Sequence, residues 1–152
     1  MENHKINVRL RLIIVKNGKL LTQYTKKNNF YFYIGGHLEY GETIIDGCKR
    51  EIEEECGEGT KFEFKKILYI RDFIMPDDNE HSVELFILGE INRFEELEKK
   101  MDPQHPDESV WCEWLEMEKL PSNLLPSELT EKLIEDYKNS FPNSGEYVGR
   151  IK

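Results

Sequence analysis

The sequence predicts a mixed α/β fold. Strand-like segments, in which apolar, β-branched and aromatic residues recur, lie on both sides of one central amphipathic helix. A second helical pattern follows the last predicted strand. The chain has 152 residues and shows neither an internal repeat nor a linker. We therefore predict one domain over residues 1–152, with an irregular tail from about residue 140.

Most of the predicted strands are apolar runs bounded by turn residues. They lie at residues 7–15, 20–25, 30–34, 62–74, 82–91 and 110–115. Asn17-Gly18 predicts a hairpin turn between the first two strands, because both residues adopt positive φ at low cost. Gly35-Gly36 predicts a glycine turn after the third strand, and residues 102–109 predict a polar loop.

Helix signals predict three helices. The central helix is expected to start at Thr43, the N-cap, and to end near Cys56, with Gly57 as a left-handed stop. A short helix is predicted over residues 94–101. A further helix is predicted over residues 126–139, because a proline and a serine precede its apolar face.

The composition limits the classes of function. The formal net charge is −9, with 38% apolar and 34% charged residues. Binding along a nucleic-acid backbone needs a basic stripe, so general nucleic-acid binding is not expected. No apolar run approaches the roughly 20 residues that span a bilayer, and no signal-peptide core is present, so no membrane partner is expected. Cys48, Cys56 and Cys112 form no CxxC pair, so we expect neither disulfides nor zinc, and a cytoplasmic protein.

Three glutamates of the central helix form a candidate metal site. Glu51, Glu54 and Glu55 are spaced i, i+3 and i+4, which places them on one helical face. Like charges repel, so such a cluster favours a bound cation, and Mg²⁺ prefers carboxylate oxygens. At about 100° per residue, Glu53 points away from this face, whereas Glu55 borders the apolar side. We therefore expect burial to raise the pKa of Glu55.

The same helix belongs to a longer pattern over residues 36–58, GHLEYGETIIDGCKREIEEECGE. This stretch resembles the Nudix box, G-x5-E-x7-R-E-U-x-E-E-x-G-U, in which U is a bulky apolar residue. The matching residues are Gly36, Glu42, Arg50, Glu51, Ile52, Glu54, Glu55 and Gly57. The last position departs from the pattern, because Glu58 stands where the family has an apolar residue.

The resemblance implies both a fold and a reaction. It implies an α/β/α sandwich around a mixed β-sheet. It implies a Nudix pyrophosphohydrolase that acts on acid anhydrides in phosphorus-containing compounds. The expected substrate is a nucleoside diphosphate linked to a further group X, including nucleoside triphosphates and modified nucleotides. The expected cofactor is Mg²⁺, with Mn²⁺ as the alternative. Domains of this family often pair, so a homodimer is open.

The resemblance also implies roles for individual side chains. The expected metal ligands are Glu51, Glu54, Glu55 and Glu42. The expected catalytic residues are Glu51, Glu54, Arg50 and Glu108. Arg50 would orient a box glutamate by hydrogen bonding, and Gly36 would allow a close turn beside the metal. The general base is either Glu51 or an acid in the loop before the last predicted strand, where Glu108 is the first choice and Asp107 the second.

Substrate contacts are predicted on the strands and at the glycine turn. The candidates are Gly36, Arg9, Arg11, Tyr31, Tyr33 and His37. Arg9 and Arg11 share a strand face, from which they either meet substrate phosphate or pair with acids. In the aromatic run at residues 30–33, alternate side chains face opposite sides. About half of the run is therefore expected in the core, and one ring is expected to stack on a nucleobase.

Two other functions stay open on the sequence. A Nudix-fold module that binds a nucleotide or a partner without turnover usually has a degraded box, whereas the catalytic positions are intact in this chain. The other function is that of a structural domain whose acidic helix is only a solvated face. Taken alone, a run such as EIEEE more commonly has this explanation. Metal-dependent turnover would separate these two from the enzyme.

Overall fold

The computed structural model describes residues 4–152 and shows a mixed sheet with helices on both faces. The strands are β1 (Asn7–Ile13), β2 (Val15–Lys16), β3 (Lys19–Thr25), β4 (Phe30–His37), β5 (Phe62–Met75), β6 (Glu80–Ile91), β7 (Val110–Glu116), β8 (Leu124–Leu125) and β9 (Glu146–Gly149). The helices are α1 (Ile44–Cys56) and α2 (Thr130–Lys138), and 3₁₀ turns lie at Pro76–Asp78, Glu95–Leu97, Met117–Lys119 and Ser127–Leu129. Neither α-helix among these residues has the length and apolarity needed to cross a membrane.

Strand order places β1 near the centre of the sheet. The order is β2-β3-β4-β1-β6-β5-β9, with β7 paired to β3 and β8 paired to β4. β1 runs parallel to β6 and antiparallel to β4. The predicted mixed sheet is therefore confirmed.

Alternation along β1 sends its side chains into two separate cores. Leu10 and Leu12 pack with Ile52 of α1 on one face. Ile13 packs with Leu133 of α2 on the other face. Because the two helices cover opposite faces of the sheet, the predicted α/β/α sandwich is confirmed.

The two adjacent glycines do not form a turn, since β4 continues through them to His37. Gly36 pairs with Leu10 and Gly35 pairs with Arg11 of β1. Gly35 has a φ of +143°, and a Cβ atom on it would lie 1.8 Å from the carbonyl oxygen of Leu10. The predicted glycine turn is wrong, because these residues permit close backbone approach within the sheet.

Helix α1 begins and ends where the sequence predicts, but the residue after it has a different backbone conformation. The backbone N–H of Asp46 donates a 3.1 Å hydrogen bond to Oγ1 of Thr43, which confirms the N-cap. At the other end, the N–H of Gly57 donates to the carbonyl oxygen of Glu53 at 3.1 Å. Gly57 has φ 102° and ψ 148°, which lies outside the left-handed helical region predicted for it.

Replacing the N-cap should weaken the protein measurably. Thr43→Ala removes the side-chain acceptor for the Asp46 N–H, so we expect the free energy of unfolding to fall by about 1 kcal/mol. Urea denaturation followed by circular dichroism would measure the change. As a control, Ser122→Ala alters an exposed loop residue and should change stability by less than about 0.5 kcal/mol. Equal effects of the two substitutions would contradict the capping role.

Residues 94–101 do not form the predicted short helix. Within this segment Glu95–Leu97 makes a 3₁₀ turn, and the residues after it pair with β7. The N–H of Lys99 donates to the carbonyl oxygen of Cys112 at 2.9 Å, and the N–H of Cys112 donates to that of Lys100 at 2.8 Å. Pairing with β7 satisfies these backbone groups, so it overrides the local helical preference.

The tail predicted to be irregular contains strand β9. This strand runs parallel to β5, with Glu146 opposite Tyr69. Just before it, the N–H of Gly145 donates to the carbonyl oxygen of Ile67 at 2.8 Å. The tail is therefore attached to the sheet, and it reaches the region in which the site is built.

Candidate active site

The glutamates of α1 are buried unequally, as the helical wheel predicts. Cys48, Ile52 and Cys56 of this helix pack into the core. Glu51 and Glu55 lie beside them with exposures of 6% and 7%. The Glu54 side chain is 36% exposed, and Glu53 is exposed to solvent. The helix therefore has one carboxylate face directed into the protein and a separate solvated glutamate.

Arg50 lies among the carboxylates of the box and bonds to several of them. Its Nη1 donates to Glu51 Oε1 at 2.9 Å and to Glu54 Oε1 at 3.3 Å. Its Nη2 donates to Glu42 Oε1 at 2.7 Å and to the carbonyl oxygen of His37 at 3.0 Å. These bonds raise the pKa of Arg50, that to Glu42 most, and the same bond lowers the pKa of Glu42. Arg50 thus fixes the positions of three acidic side chains.

Burial of Glu55 and Glu51 makes their ionisation costly. Glu55 Oε2 accepts a 2.9 Å hydrogen bond from the N–H of Gly35. Burial raises the pKa of Glu55 well above its ordinary value, the nearby Glu51 raises it further, and Arg11 opposes the shift. Burial also raises the pKa of Glu51, against the hydrogen bond from Arg50. The expected upward shift of the Glu55 pKa is therefore confirmed.

Gly36 lets Glu51 approach the sheet closely. A Cβ atom on Gly36 would lie 2.6 Å from Glu51 Oε1, which is shorter than a van der Waals contact. The absence of a side chain on Gly36 therefore creates the space in which the Glu51 carboxylate lies. Gly36 is beside the carboxylate cluster, as predicted, although it lies in a strand rather than a turn.

A cavity of about 940 Å³ lies on the face of the sheet opposite to α1, and arginines form its floor. Arg9, Arg11 and Arg71, here called the arginine floor, surround Glu84, which is 2% exposed. The Arg11 Nε and Arg71 Nη1 atoms lie 3.2 Å and 2.8 Å from the Glu84 carboxylate. Glu80 lies 3.6 Å from Arg9, whose buried Nε has no hydrogen-bond partner among the described residues. Three guanidinium groups against two carboxylates leave this floor positive.

Phenylalanine rings form the apolar walls of the cavity. Phe30 and Phe32 line it with ring centroids 6.1 Å apart in an edge-to-face arrangement. Phe73 lies between two guanidinium groups, 4.9 Å from Arg9 and 4.8 Å from Arg71. These contacts hold both arginines in place while leaving aromatic surface exposed to the cavity.

Of the two tyrosines predicted as substrate contacts, one is buried at the border of the cavity and the other lies outside it. Tyr33 borders the cavity, but its side chain is only 1% exposed and packs against Phe86. Tyr31 lies outside the cavity lining and stacks on Tyr24 at 4.8 Å. Burial raises the pKa of Tyr31 to about 12, with a further contribution from its bond to Glu113. Phe30 and Phe32 therefore offer ring surface to the cavity, whereas the tyrosine side chains are engaged in packing.

The loop at residues 102–109 directs a histidine to the cavity. Asp102 is 5% exposed and accepts hydrogen bonds from Gln23 Nε2 at 3.4 Å and from the N–H of Gln104 at 2.9 Å. His105 Nδ1 lies 3.3 Å from Asp102 Oδ2, and His105 lines the cavity. The Glu108 side chain is exposed, lies outside the cavity lining and has no hydrogen bond or ion pair within residues 4–152. The structure therefore does not bring Glu108 to the cavity.

Two further predicted residues lie outside the cavity lining. His37 is exposed, and its Nε2 is 3.0 Å from Glu80 Oε1. Asp107, the second choice for a base, is 2.7 Å from Lys27 Nζ, and this contact is the main reason that its pKa is lowered. Arg9 and Arg11 are the predicted substrate contacts whose side chains the structure places in the cavity.

Comparison with known proteins identifies the family to which this fold and site belong. A family model described as the NUDIX domain matches residues 7–137. The chain belongs to the Nudix family. The predicted resemblance to the Nudix family is thereby confirmed.

Solved structures of Nudix proteins share the fold at low sequence identity. A MutT NUDIX hydrolase from Burkholderia pseudomallei superposes with a TM-score of 0.64 and 23% identity, over 86% of this chain and 97% of that one. A NUDIX hydrolase from Nitrosomonas europaea has a TM-score of 0.66 and 22% identity, over 90% of both chains. An ADP-ribose pyrophosphatase from Streptococcus suis has a TM-score of 0.64 and 16% identity, over 93% and 98%. At these identities the likeness shows the shared Nudix fold.

The residues of the Nudix box fit the divalent cation that the family implies. Glu51, Glu54 and Glu55 offer carboxylate oxygens, the ligands that a hard cation prefers. Within residues 4–152, no three His, Cys, Asp or Glu side chains are arranged as a metal-binding set; instead, Arg50 lies among the carboxylates. Burial is the main cause of the raised pKa of Glu51 and of Glu55, so their ionised carboxylates lack solvation by water. A divalent cation would supply the missing positive charge.

Several residues of this site were not predicted from the sequence. Arg71 and Glu84 are charged residues inside apolar strands, and this signal could have marked them as functional candidates. His105 and Asp102 lie in a polar loop, where nothing in the local pattern separates a buried aspartate from a solvated one. Sequence alternation divided the aromatic run correctly, but it could not say which face meets the cavity.

Proposed function

We propose that this Nudix protein hydrolyses a phosphoanhydride bond in a nucleoside diphosphate linked to a group X, in a reaction that depends on Mg²⁺. The position of Arg11 is the observation that carries the proposal. Arg11 lines the cavity, and its charge also acts on the buried carboxylates of Glu51 and Glu55. Arg11 pairs with Gly35, whose N–H donates to Glu55, so only the paired strands β1 and β4 separate the arginine floor from the carboxylates of the box.

The carboxylates of the Nudix box are proposed to hold the metal ion. Glu51, Glu54 and Glu55 would be its ligands, with Glu42 contributing through the network that Arg50 organises. When bound, Mg²⁺ neutralises diphosphate oxygens and lowers the pKa of a water molecule. Arg50 is proposed to orient these carboxylates, because its guanidinium already bonds to three of them.

The general base is proposed to be Glu51. Glu51 is buried beside Gly36, within the carboxylate cluster proposed to hold the metal and its bound water. Glu108, the other candidate from the sequence, is exposed and lies outside the cavity lining. A role for Glu108 would require the loop that carries it to move.

The cavity supplies contacts for both the phosphate groups and the nucleobase of a nucleotide. Arg9 and Arg11 are proposed to bind phosphate oxygens, since guanidinium groups form paired hydrogen bonds with them. Phe30 and Phe32 are proposed to stack on the nucleobase, in place of the tyrosines expected from the sequence. His105, held by Asp102, is proposed to hydrogen-bond the nucleoside half.

A substrate panel tests this proposal directly. The purified protein is incubated with nucleoside triphosphates, nucleoside diphosphate sugars and dinucleoside polyphosphates, without metal, with Mg²⁺ and with Mn²⁺. We expect metal-dependent release of two phosphorylated products, measured by chromatography. Tight binding without turnover would support the non-catalytic module, and neither binding nor turnover would support the purely structural domain.

A homodimer, predicted from the family resemblance, and a cytoplasmic location, predicted from the cysteine usage, both stay predictions. A homodimer would appear in size-exclusion chromatography with light scattering as twice the 18.1 kDa chain mass. The net charge of −9 supports action on free nucleotides rather than general binding of nucleic acid. A cytoplasmic location would be tested by fractionating cells that express the protein.

A further inference from the structure

Glu84 is a buried carboxylate at the centre of the arginine floor. We propose that Glu84 is a positioning residue, whose carboxylate fixes the three guanidinium groups in the arrangement that binds a condensed phosphate. This inference rests on the proposed function, which assigns phosphate binding to two of these arginines. It adds a residue that acts on the substrate only through the arginines.

The sheet places Glu84 in one row with two of the arginines. On β6, Glu84 lies opposite Arg9 of the parallel strand β1 and opposite Arg71 of the antiparallel strand β5. Arg11 lies two residues after Arg9 on β1, so its side chain points to the same face of the sheet. Because neighbouring strands are only about 4.8 Å apart, the three arginines can converge on one carboxylate.

The carboxylate of Glu84 uses both of its oxygens on these arginines. Its Oε1 accepts a 2.8 Å hydrogen bond from Arg71 Nη1, and its Oε2 accepts a 3.2 Å bond from Arg11 Nε. Arg9 Nε lies 3.7 Å from the same Oε2. A single side chain therefore contacts all three guanidinium groups, each at one edge.

The remaining contacts leave one nitrogen of each guanidinium group available. Arg11 Nη1 donates to the carbonyl oxygen of Tyr33 at 3.2 Å, and Arg71 Nε donates to that of Ile151 at 2.9 Å. Within residues 4–152, the Nη2 atoms of Arg9, Arg11 and Arg71 donate no hydrogen bond. Their side chains are 20%, 12% and 10% exposed, and all three line the cavity. These nitrogens are the donors that the floor offers to a ligand.

The arginine floor keeps a surplus of positive charge around Glu84. The nearby Glu80 is shared, since it also accepts a hydrogen bond from Ser82 and lies 3.0 Å from His37 Nε2. Buried ion pairs can often be replaced by apolar residues without loss of stability, so stability alone is a weak reason for such a cluster. Guanidinium groups that are held apart and incompletely neutralised suit an anion with several negative charges.

Positioning and simple neutralisation predict opposite effects of Glu84→Gln. The substitution removes a negative charge from the floor, so electrostatics alone predicts tighter binding of an anion. Glutamine, however, has one acceptor oxygen and an amide group that donates, so it cannot hold Arg11 and Arg71 together. Under the positioning role, the variant binds an anion less tightly although its floor is more positive.

Binding of inorganic pyrophosphate to the metal-free protein tests the inference. Protein treated with a chelating resin is titrated by calorimetry, and circular dichroism checks that each variant is folded. We expect the dissociation constant to rise about tenfold in Glu84→Gln, as for the loss of one charge-assisted hydrogen bond. Glu84→Asp keeps the charge but is shorter by one methylene group, and should give a smaller rise of about threefold.

Glu63→Gln is the matched control, because it removes the same charge from an exposed residue of β5 outside the cavity lining. It should leave the dissociation constant within about twofold.

Unchanged or tighter binding in Glu84→Gln would overturn the inference. If only Glu84→Asp folds, wild-type affinity in that variant would do the same. Failure of both variants to fold would make Glu84 a structural requirement and would also overturn the positioning role, as would a wild type that does not bind pyrophosphate. Metal-dependent turnover of the substrate panel is a separate measurement, so the proposed function is tested independently.

Discussion

Replacing Glu55 with glutamine should lower kcat/KM of the metal-dependent reaction by roughly three orders of magnitude. Burial raises the pKa of Glu55 more strongly than that of Glu51, and glutamine cannot supply the charge that a divalent cation needs. Glu53→Gln alters the next-but-one residue of the same helix, whose side chain is exposed, and should change kcat/KM by less than about twofold. Comparable losses in the two variants would contradict the division of α1 into a metal-binding face and a solvated face.

The same substitution should stabilise the metal-free protein. Because burial raises the pKa of Glu55, its ionised form is less favourable in the folded than in the unfolded chain. The unfolding free energy of the metal-free wild type should therefore fall as pH rises from the ordinary glutamate pKa through the raised one. Glu55→Gln removes this part of the fall and keeps an oxygen for the Gly35 N–H. Thermal unfolding would be measured with and without Mg²⁺ in both proteins. Compared with the wild type, Glu55→Gln should be more stable in the absence of metal and should gain less stability when Mg²⁺ is added.

Replacing Gly35 with alanine should destabilise the fold by more than about 4 kcal/mol. The added Cβ would lie 1.8 Å from the carbonyl oxygen of Leu10, at a φ of +143° that side chains rarely adopt. Since Gly35 and Leu10 lie on the paired strands β4 and β1, relief of this overlap would separate the strands at the centre of the sheet. Urea denaturation and the yield of folded protein would measure the loss.

Gly18→Ala provides the control for backbone conformation alone. Gly18 has a φ of +74°, and nothing lies within 4 Å of the position of an added Cβ. We expect Gly18→Ala to lower the free energy of unfolding by about 1 kcal/mol. This loss reflects the cost of a left-handed backbone for alanine, because the added Cβ meets no steric clash. A Gly35→Ala protein as stable as Gly18→Ala would show that β1 and β4 can separate locally without cost.

The metal-binding face of α1 is the part of the site that local sequence defines best. The position of this face follows from the periodicity of the helix and from the Thr43 N-cap. Both features depend on residues only a few positions apart. The wheel therefore placed Glu55 at the border of the apolar face and Glu53 away from the carboxylate face before any tertiary contact was known, and the structure shows that Glu51 is buried as well. The network around Arg50 brings in Glu42 across the loop that precedes the helix.

The cavity could not be predicted in the same way, because its members come from distant parts of the chain. Arg9, Arg71 and Glu84 meet only through the order β1-β6-β5 in the sheet. The charge of an arginine inside a strand does not say which carboxylate will lie opposite it. Strand order depends on the packing of two faces at once, which is a property of the whole fold.

The sequence by itself determined the family, the mixed α/β class, the position of α1 and the acidic face of that helix, because these depend on short-range spacing. Tertiary structure alone decided that Gly35-Gly36 lies in a strand, that residues 94–101 pair with β7, and that the tail joins the sheet as β9. It also decided that Phe30 and Phe32 line the cavity together with the buried Tyr33, whereas Tyr31 lies outside it. In each case a hydrogen bond or contact with a distant strand outweighed the local preference, and such contacts are not encoded in the spacing of neighbouring residues.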